Sequence, residues 1–255
     1  MSAVTLPDAQ PRNLAVAANQ LVYWFGRHWL LVATALWALY AGLPWLAPVL
    51  MKLGFTGAGN LIYTVYSTQC HQLPQRSFFL FGSKPMYSLA EIQAAWQPTN
   101  NPVILRQFTG NAVMGWKVAW SDRMVSMYTS ILAGGLIYGL FRRRLRPLPL
   151  WGYILFVLPM ILDGGTHLIS DLAGIGQGFR DSNAWLVTLT GGTLPHWFYA
   201  GDALGSFNEW MRLLTGVLFG LGTVWLAYPY LAQAFGDLTA AIEANASRQR
   251  AGRRL

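Results

Sequence analysis

Four stretches of the chain run apolar for longer than an ordinary buried helix needs: 29–50, 118–141, 148–170 and 210–228. At about 1.5 Å of rise per helical residue, each is long enough to cross a hydrocarbon layer roughly 30 Å thick. The first carries no charge, and the others hold their few ionisable residues near one end. Polar positions gather instead in two long connections, 51–117 and 171–209, and in the terminal segments. The pattern predicts an all-α, polytopic membrane helix bundle with about four transmembrane helices. A cytoplasmic or interfacial segment, 1–28, precedes a single transmembrane domain, 29–236, and a basic tail, 237–255, follows it.

Within the first connection, a Gly-rich turn at 54–59 leads into an apolar piece, 60–66, too short to cross. The elbow Gln69-Cys70-His71-Gln72-Leu73-Pro74 follows, and residues 78–81 are apolar again. Proline breaks a helix there, so the two arms predict either a re-entrant or interfacial element or a buried turn. Ser88 and Glu91 have capping-box spacing for a short helix through Trp96, which Pro98 and Pro102 end. Residues 83–117 and 171–205 read as water-facing, extracytoplasmic insertions. Gly135 with Gly139, and Gly216 with Gly220, give two of the spans the small-residue spacing that lets helices approach closely.

Composition agrees with the spans. Only 11% of residues are charged and 54% are hydrophobic, against roughly 25% charged in soluble domains. The net charge of +8 raises nucleic acid as a partner, but the basic residues concentrate at Arg142, Arg143, Arg144 and Arg146 and in the tail from Arg248. Both clusters flank apolar spans, where the preference of cytoplasmic loops for positive charge accounts for them. This places both termini in the cytoplasm and the chain in the inner, cytoplasmic membrane. The expected partners are the lipid bilayer and other membrane subunits, not nucleic acid. Cys70 is the only cysteine, which excludes an intramolecular disulfide and an all-cysteine metal cage.

Candidate chemistry centres on 158–171, where Asp163 and His167 lie one turn apart near the end of the third span. Ionisable groups within a membrane span need partners. The topology brings Asp122 and Arg123, at the start of the second span, and Asn208 and Arg212, at the start of the fourth, to the same depth. Arg76 lies in the connection on that side. A structural ion-pair cluster of Arg76, Asp122, Arg123, Asp163, His167, Asn208 and Arg212 is one reading. A zinc- or copper-like ion held by Cys70, His71, Asp163 and His167 is another. Against the metal, no recognised ligand spacing is present, and adjacent Cys70 and His71 cannot both face inward from a regular helix. The inner halves of the spans lack ionisable residues to continue a proton relay. Bis-histidine haem ligation lacks a facing pair, and no G-x-S-x-G elbow supports hydrolase chemistry.

Three motifs occur in order: Cys70-His71-Gln72-Leu73-Pro74-Gln75-Arg76-Ser77, then Pro159-Met160 with Asp163-Gly164, then Ser206, Asn208, Arg212, Thr215 and Gly216. In these the chain resembles domain of unknown function family 2085, an uncharacterised group of prokaryotic multi-pass membrane proteins. Where that family shows Cys-x-Arg-Cys, this chain has Ser121-Asp122-Arg123-Met124, retaining the arginine without the cysteines. The resemblance implies a multi-pass fold and supports Asp163 more than His167 as a site residue. It implies no established activity, and the missing cysteines weigh against metal binding through those positions. The leading expectation is a non-enzymatic structural or accessory subunit of a membrane complex. The alternative is a metal- or small-ligand-binding membrane protein, including an enzyme of that kind.

Overall fold

The computed structural model describes residues 10–142 and 144–252. In chain order the helices and strands are α1 (Gln10–Lys52), α2 (Thr56–Tyr66), β1 (Ser77–Leu80), α3 (Leu89–Ala95), α4 (Pro102–Leu105), β2 (Gly110–Asn111) and β3 (Gly115–Ser121). They continue with α5 (Asp122–Phe141), α6 (Leu150–Asp171), α7 (Phe179–Ser182), α8 (Ala184–Thr190), α9 (His196–Tyr199) and α10 (Phe207–Gly252). Four helices, α1, α5, α6 and α10, are long and apolar enough to cross a membrane, as the hydropathy pattern predicts. The first span is the second half of α1, which is continuous through much of the preceding segment. Near its start, Tyr23 donates to Glu243 at 2.5 Å, and Trp29 stacks on Phe235, so the first part of α1 runs antiparallel to the later part of α10.

Small residues set the spacing of this bundle. A Cβ at Gly216 would sit 2.0 Å from Ser126 Oγ, and one at Gly220 would sit 2.0 Å from Ser130 Oγ. The predicted glycine pair therefore seats α10 against two serines spaced one turn apart on α5. Gly135 and Gly139 make room for Tyr228 and Leu30. Beneath them Trp29, Tyr138 and Tyr228 pack edge to face or tilted toward the arginine-rich end. α6 packs along α10, with Phe156 over Gly222 and Tyr153 hydrogen-bonded to Thr223. Its other side is an exposed aliphatic face that includes Leu155, Leu158 and Leu162.

A cap covers the opposite end of the bundle. Its three-stranded antiparallel sheet, ordered β1-β3-β2, pairs Ser77 with Ser121 and Phe79 with Lys117. This sheet is a small addition to the all-α expectation. It was hidden because β3 is buried on both faces: Val118, Ala119 and Trp120 are fully covered, giving an apolar run with no alternation. Hydropathy therefore merges these residues with the span that follows, whereas the helix begins at Asp122. An acidic residue in that first turn complements the positive end of the helix dipole. Tyr63, Tyr66 and Cys70 pack on the strand, and a second core gathers Leu73, Phe79, Ile92, Leu105 and Phe108.

The predicted capping box of α3 is present, with Glu91 N donating to Ser88 Oγ and Ser88 N to Glu91 Oε2. The 60–81 stretch consists of the end of α2, a tight elbow and an edge strand. At the elbow Gln72 adopts φ +50°, and its side-chain amide donates to the carbonyls of Tyr63 and Ala119 at 2.9 Å each. That bridge offsets the left-handed backbone and ties the end of α2 to β3.

Candidate functional site

Eight charged side chains meet where the cap joins the helix ends, and they alternate in sign. Arg76, in the turn before β1, grips Asp171 at the end of α6 through Nη1 and Nη2 at 2.7 and 2.8 Å. Its Nε donates to Asp202 at 2.7 Å. The other oxygen of Asp202 accepts from Arg212 Nη1 at 2.6 Å, and the Asp202 carbonyl accepts from Nη2 at 2.7 Å. Arg212 Nε then reaches both oxygens of Asp122 at 2.8 and 2.9 Å. One ladder thus joins the cap, α6, the loop before α10, α10 itself and α5.

A second ladder is centred on Asp163. Arg123 Nη2 donates to one of its oxygens and Arg180 Nη2 to the other, each at 2.7 Å. Arg180 also donates to Asn208 Oδ1 at 3.1 Å and to His167 Nε2 at 3.2 Å. Asn208 returns two bonds, to the carbonyls of Arg180 and Gly201 at 2.7 and 2.9 Å. Local sequence delivers Arg180 to this point. Gly178 lies so close to α6 that a Cβ would approach Ser170 Oγ to 2.0 Å, and Asn183 turns the chain at φ +43°.

Four guanidiniums and four carboxylates are therefore paired; Arg76, Asp122, Asp163, Arg180, Asp202 and Arg212 are buried, and Arg123 and Asp171 are partly exposed. Burial by itself would raise the Asp202 carboxyl, but Arg76 and Arg212 outweigh it and hold Asp202 below the usual carboxylate range. Burial likewise works against the charged form of Arg76, and Asp202 with Asp171 more than reverses this. Such a network gives little net stability over an apolar core, yet removing one member strands a buried charge at a cost of about 3–5 kcal/mol.

All seven residues expected in the polar cluster are placed within or against these ladders. Asp171, Arg180 and Asp202 complete it and were not assigned from sequence. The signal was charge parity: Arg76, Arg123 and Arg212 set against Asp122 and Asp163 leave a net positive buried group, which calls for a further acid. Lys117 was also missed. It is fully buried in β3 and donates to the carbonyls of Gln72 and Arg106 at 2.8 and 2.7 Å, fastening the elbow from below.

The four residues considered as metal ligands do not behave as a set. Cys70, His71 and His167 line one cavity of about 280 Å³ between α5, α6 and the elbow, together with Arg76, Arg123 and Arg212. Asp163 is not in its wall, and both of its oxygens are held by arginines. Cys70 Sγ accepts the backbone N–H groups of Gln72 and Ser121 at 3.4 Å. Among the described residues, no three His, Cys, Asp or Glu side chains are placed to share an ion. His71 keeps an exposed face, while the protein packed around the rest of it, followed by Arg76, Arg212 and Arg123, pushes its imidazole well below the ordinary range. Ser121 and Met124 also line this cavity, at the positions where the resembled family shows cysteines.

A family model described as "Predicted membrane protein (DUF2085)" matches residues 111–226. Over those residues the chain is similar to DUF2085. The matched segment contains β3, α5, α6 and the start of α10, and with them every charged member of the two ladders except Arg76. An uncharacterized protein of Methanocaldococcus jannaschii is 29% identical over 211 residues, covering 80% of this chain and 92% of that protein. No solved structure matches the chain.

Proposed function

We propose that this membrane protein is a non-enzymatic structural or accessory subunit of a larger membrane complex. The observation that carries this reading is the pairing of all four network arginines with carboxylates. It leaves no carboxylate of the network free to act as a base, and it suits a lock that fixes the cap on the helix ends. The cap in turn enlarges the surface presented beyond the bundle. The arginine-rich segment from Arg142 supports an orientation in the inner membrane with both termini cytoplasmic and the cap outside. Mild-detergent extraction from native membranes, followed by native electrophoresis and cross-linking, tests the subunit role. A defined heteromeric assembly is expected, and a clean monomer would refute it.

The cavity favours a second reading, a small-ligand-binding protein. Its metal-binding version predicts stoichiometric zinc or copper in purified protein, lost in His167→Ala while the fold survives. That result would overturn the purely structural account.

A further inference from the structure

We propose that the cavity between α5 and α6 holds the phosphate headgroup of a membrane lipid, whose chain lies in the adjoining groove between α1 and α5. The proposal goes beyond the subunit reading and rests on separate observations. The cavity wall is rich in donors. Arg76, Arg123 and Arg212 line it, and among the described residues the only carboxylate in the wall, Asp171, is already chelated by Arg76.

Two of its polar groups await an acceptor. A guanidinium can only donate, so His167 Nε2 must accept from Arg180, and the imidazole proton sits on Nδ1. Among the described residues that N–H is buried without a partner, on a residue of the cavity wall that is 4% exposed. Arg123 Nε is unpartnered in the same way. His71 adds a third donor, because its Nδ1 accepts from Leu73 N and leaves the proton on Nε2. Buried donors without acceptors are costly, and an oxyanion satisfies several at once. Gly164 keeps the wall open for this arrangement: a Cβ there would stand 2.5 Å from Arg123 Nη1.

The lipid source follows from what adjoins the cavity. A groove of about 590 Å³ is lined by Ala33, Leu36, Trp37, Tyr40, Leu43 and Tyr128. Tyr128 lies one turn along α5 from Met124, which lines the cavity, so groove and cavity are stacked on one side of that helix. The Tyr40 hydroxyl bonds the side chain of Gln69, another member of the cavity wall. From Leu43 to Ala33 the groove follows α1 for about 15 Å away from the cap, along the direction an acyl chain would take. At about 280 Å³ the cavity lies just below the roughly 300–1,000 Å³ of whole-ligand pockets, a size suited to a headgroup and not to a complete lipid.

The test uses the full chain in mild detergent, titrated with dioleoylphosphatidic acid and followed by native mass spectrometry. Dioleoylglycerol, which lacks the phosphate, and inorganic phosphate serve as the other arms. One phosphatidic acid per chain is expected, with dioleoylglycerol not retained and inorganic phosphate failing to displace the lipid. His71→Leu, outside the ion ladders, is expected to weaken binding about tenfold. Ala33→Trp, which fills the groove without touching a polar group, is expected to weaken it comparably. Equal retention of both lipids, or no saturable binding, would overturn the proposal. Displacement by inorganic phosphate with Ala33→Trp silent would overturn the lipid assignment in favour of a free oxyanion.

Discussion

Replacing Gly216 by alanine should loosen the bundle at the point where the ion ladder enters it. The new Cβ would lie 2.0 Å from Ser126 Oγ, 2.9 Å from the Arg123 carbonyl oxygen and 3.1 Å from Met127 N. The hydroxyl can rotate away, at the expense of its 2.9 Å bond to the Arg123 carbonyl. The two backbone contacts cannot, so α5 and α10 must part by a few tenths of an ångström. Overpacking of this kind costs about 1–3 kcal/mol. For a chain of this size that is a fall in Tm of about 2–12 °C. Arg212 lies one turn before Gly216, and Asp122 one turn before Ser126, so the same movement stretches their pair. Thermal unfolding in mild detergent, read by tryptophan fluorescence, measures the loss. Adding Ser126→Gly removes the closest contact and should recover part of it. An unchanged Tm in Gly216→Ala, or no recovery in the double variant, would refute the close-packing argument.

Other outcomes follow from the cap. Cys70 is buried with its sulfur accepting two backbone N–H groups, so maleimide should modify it slowly in the folded protein. Gln72→Ala removes both amide bridges, and it should speed that modification and lower stability by about 2 kcal/mol. An unchanged alkylation rate would show that the bridges do not hold the elbow. Burial pushes Lys117 down from its ordinary value of 10.5 to about 7. Between those values the unfolded chain binds the extra proton, so stability should rise with pH from about 7 to 10.5 and gain nothing from this group below that window. Denaturant titrations at both ends of the window should show the rise, and Lys117→Met should flatten it. A slope that survives in Lys117→Met would assign it to another group.

The membrane-crossing helices were legible because an apolar run of about 20 residues matches the thickness of a bilayer and exceeds what a buried core helix needs. Gly216 and Gly220 were legible as a packing pair because their spacing alone puts them on one helix face. The sheet was not. β3 gives no alternation when both of its faces are covered, and its partner β1 is a four-residue strand that pairs across nearly forty intervening residues. The site was half visible for a related reason. Asp163 and Arg212 stand out against apolar neighbours, whereas Arg180 and Asp202 lie in a polar connection where charges ordinarily face water. Only folding that connection back over the helix ends reveals them as buried. Charge parity could have requested additional acids, but it could not have chosen Asp202 over Asp181.

In the lock between cap and membrane helices, Asp202 joins Arg76 of the cap to Arg212 of α10, beside the Arg76–Asp171 pair to α6. A double-mutant cycle of Arg76→Gln and Asp202→Asn, measured by equilibrium unfolding in detergent, tests the Asp202 bridge directly. A coupling of about 1.5–3 kcal/mol is predicted. Single-variant losses that add to within about 0.5 kcal/mol would contradict the bridge, and with it the view that this network locks the cap to the membrane helices.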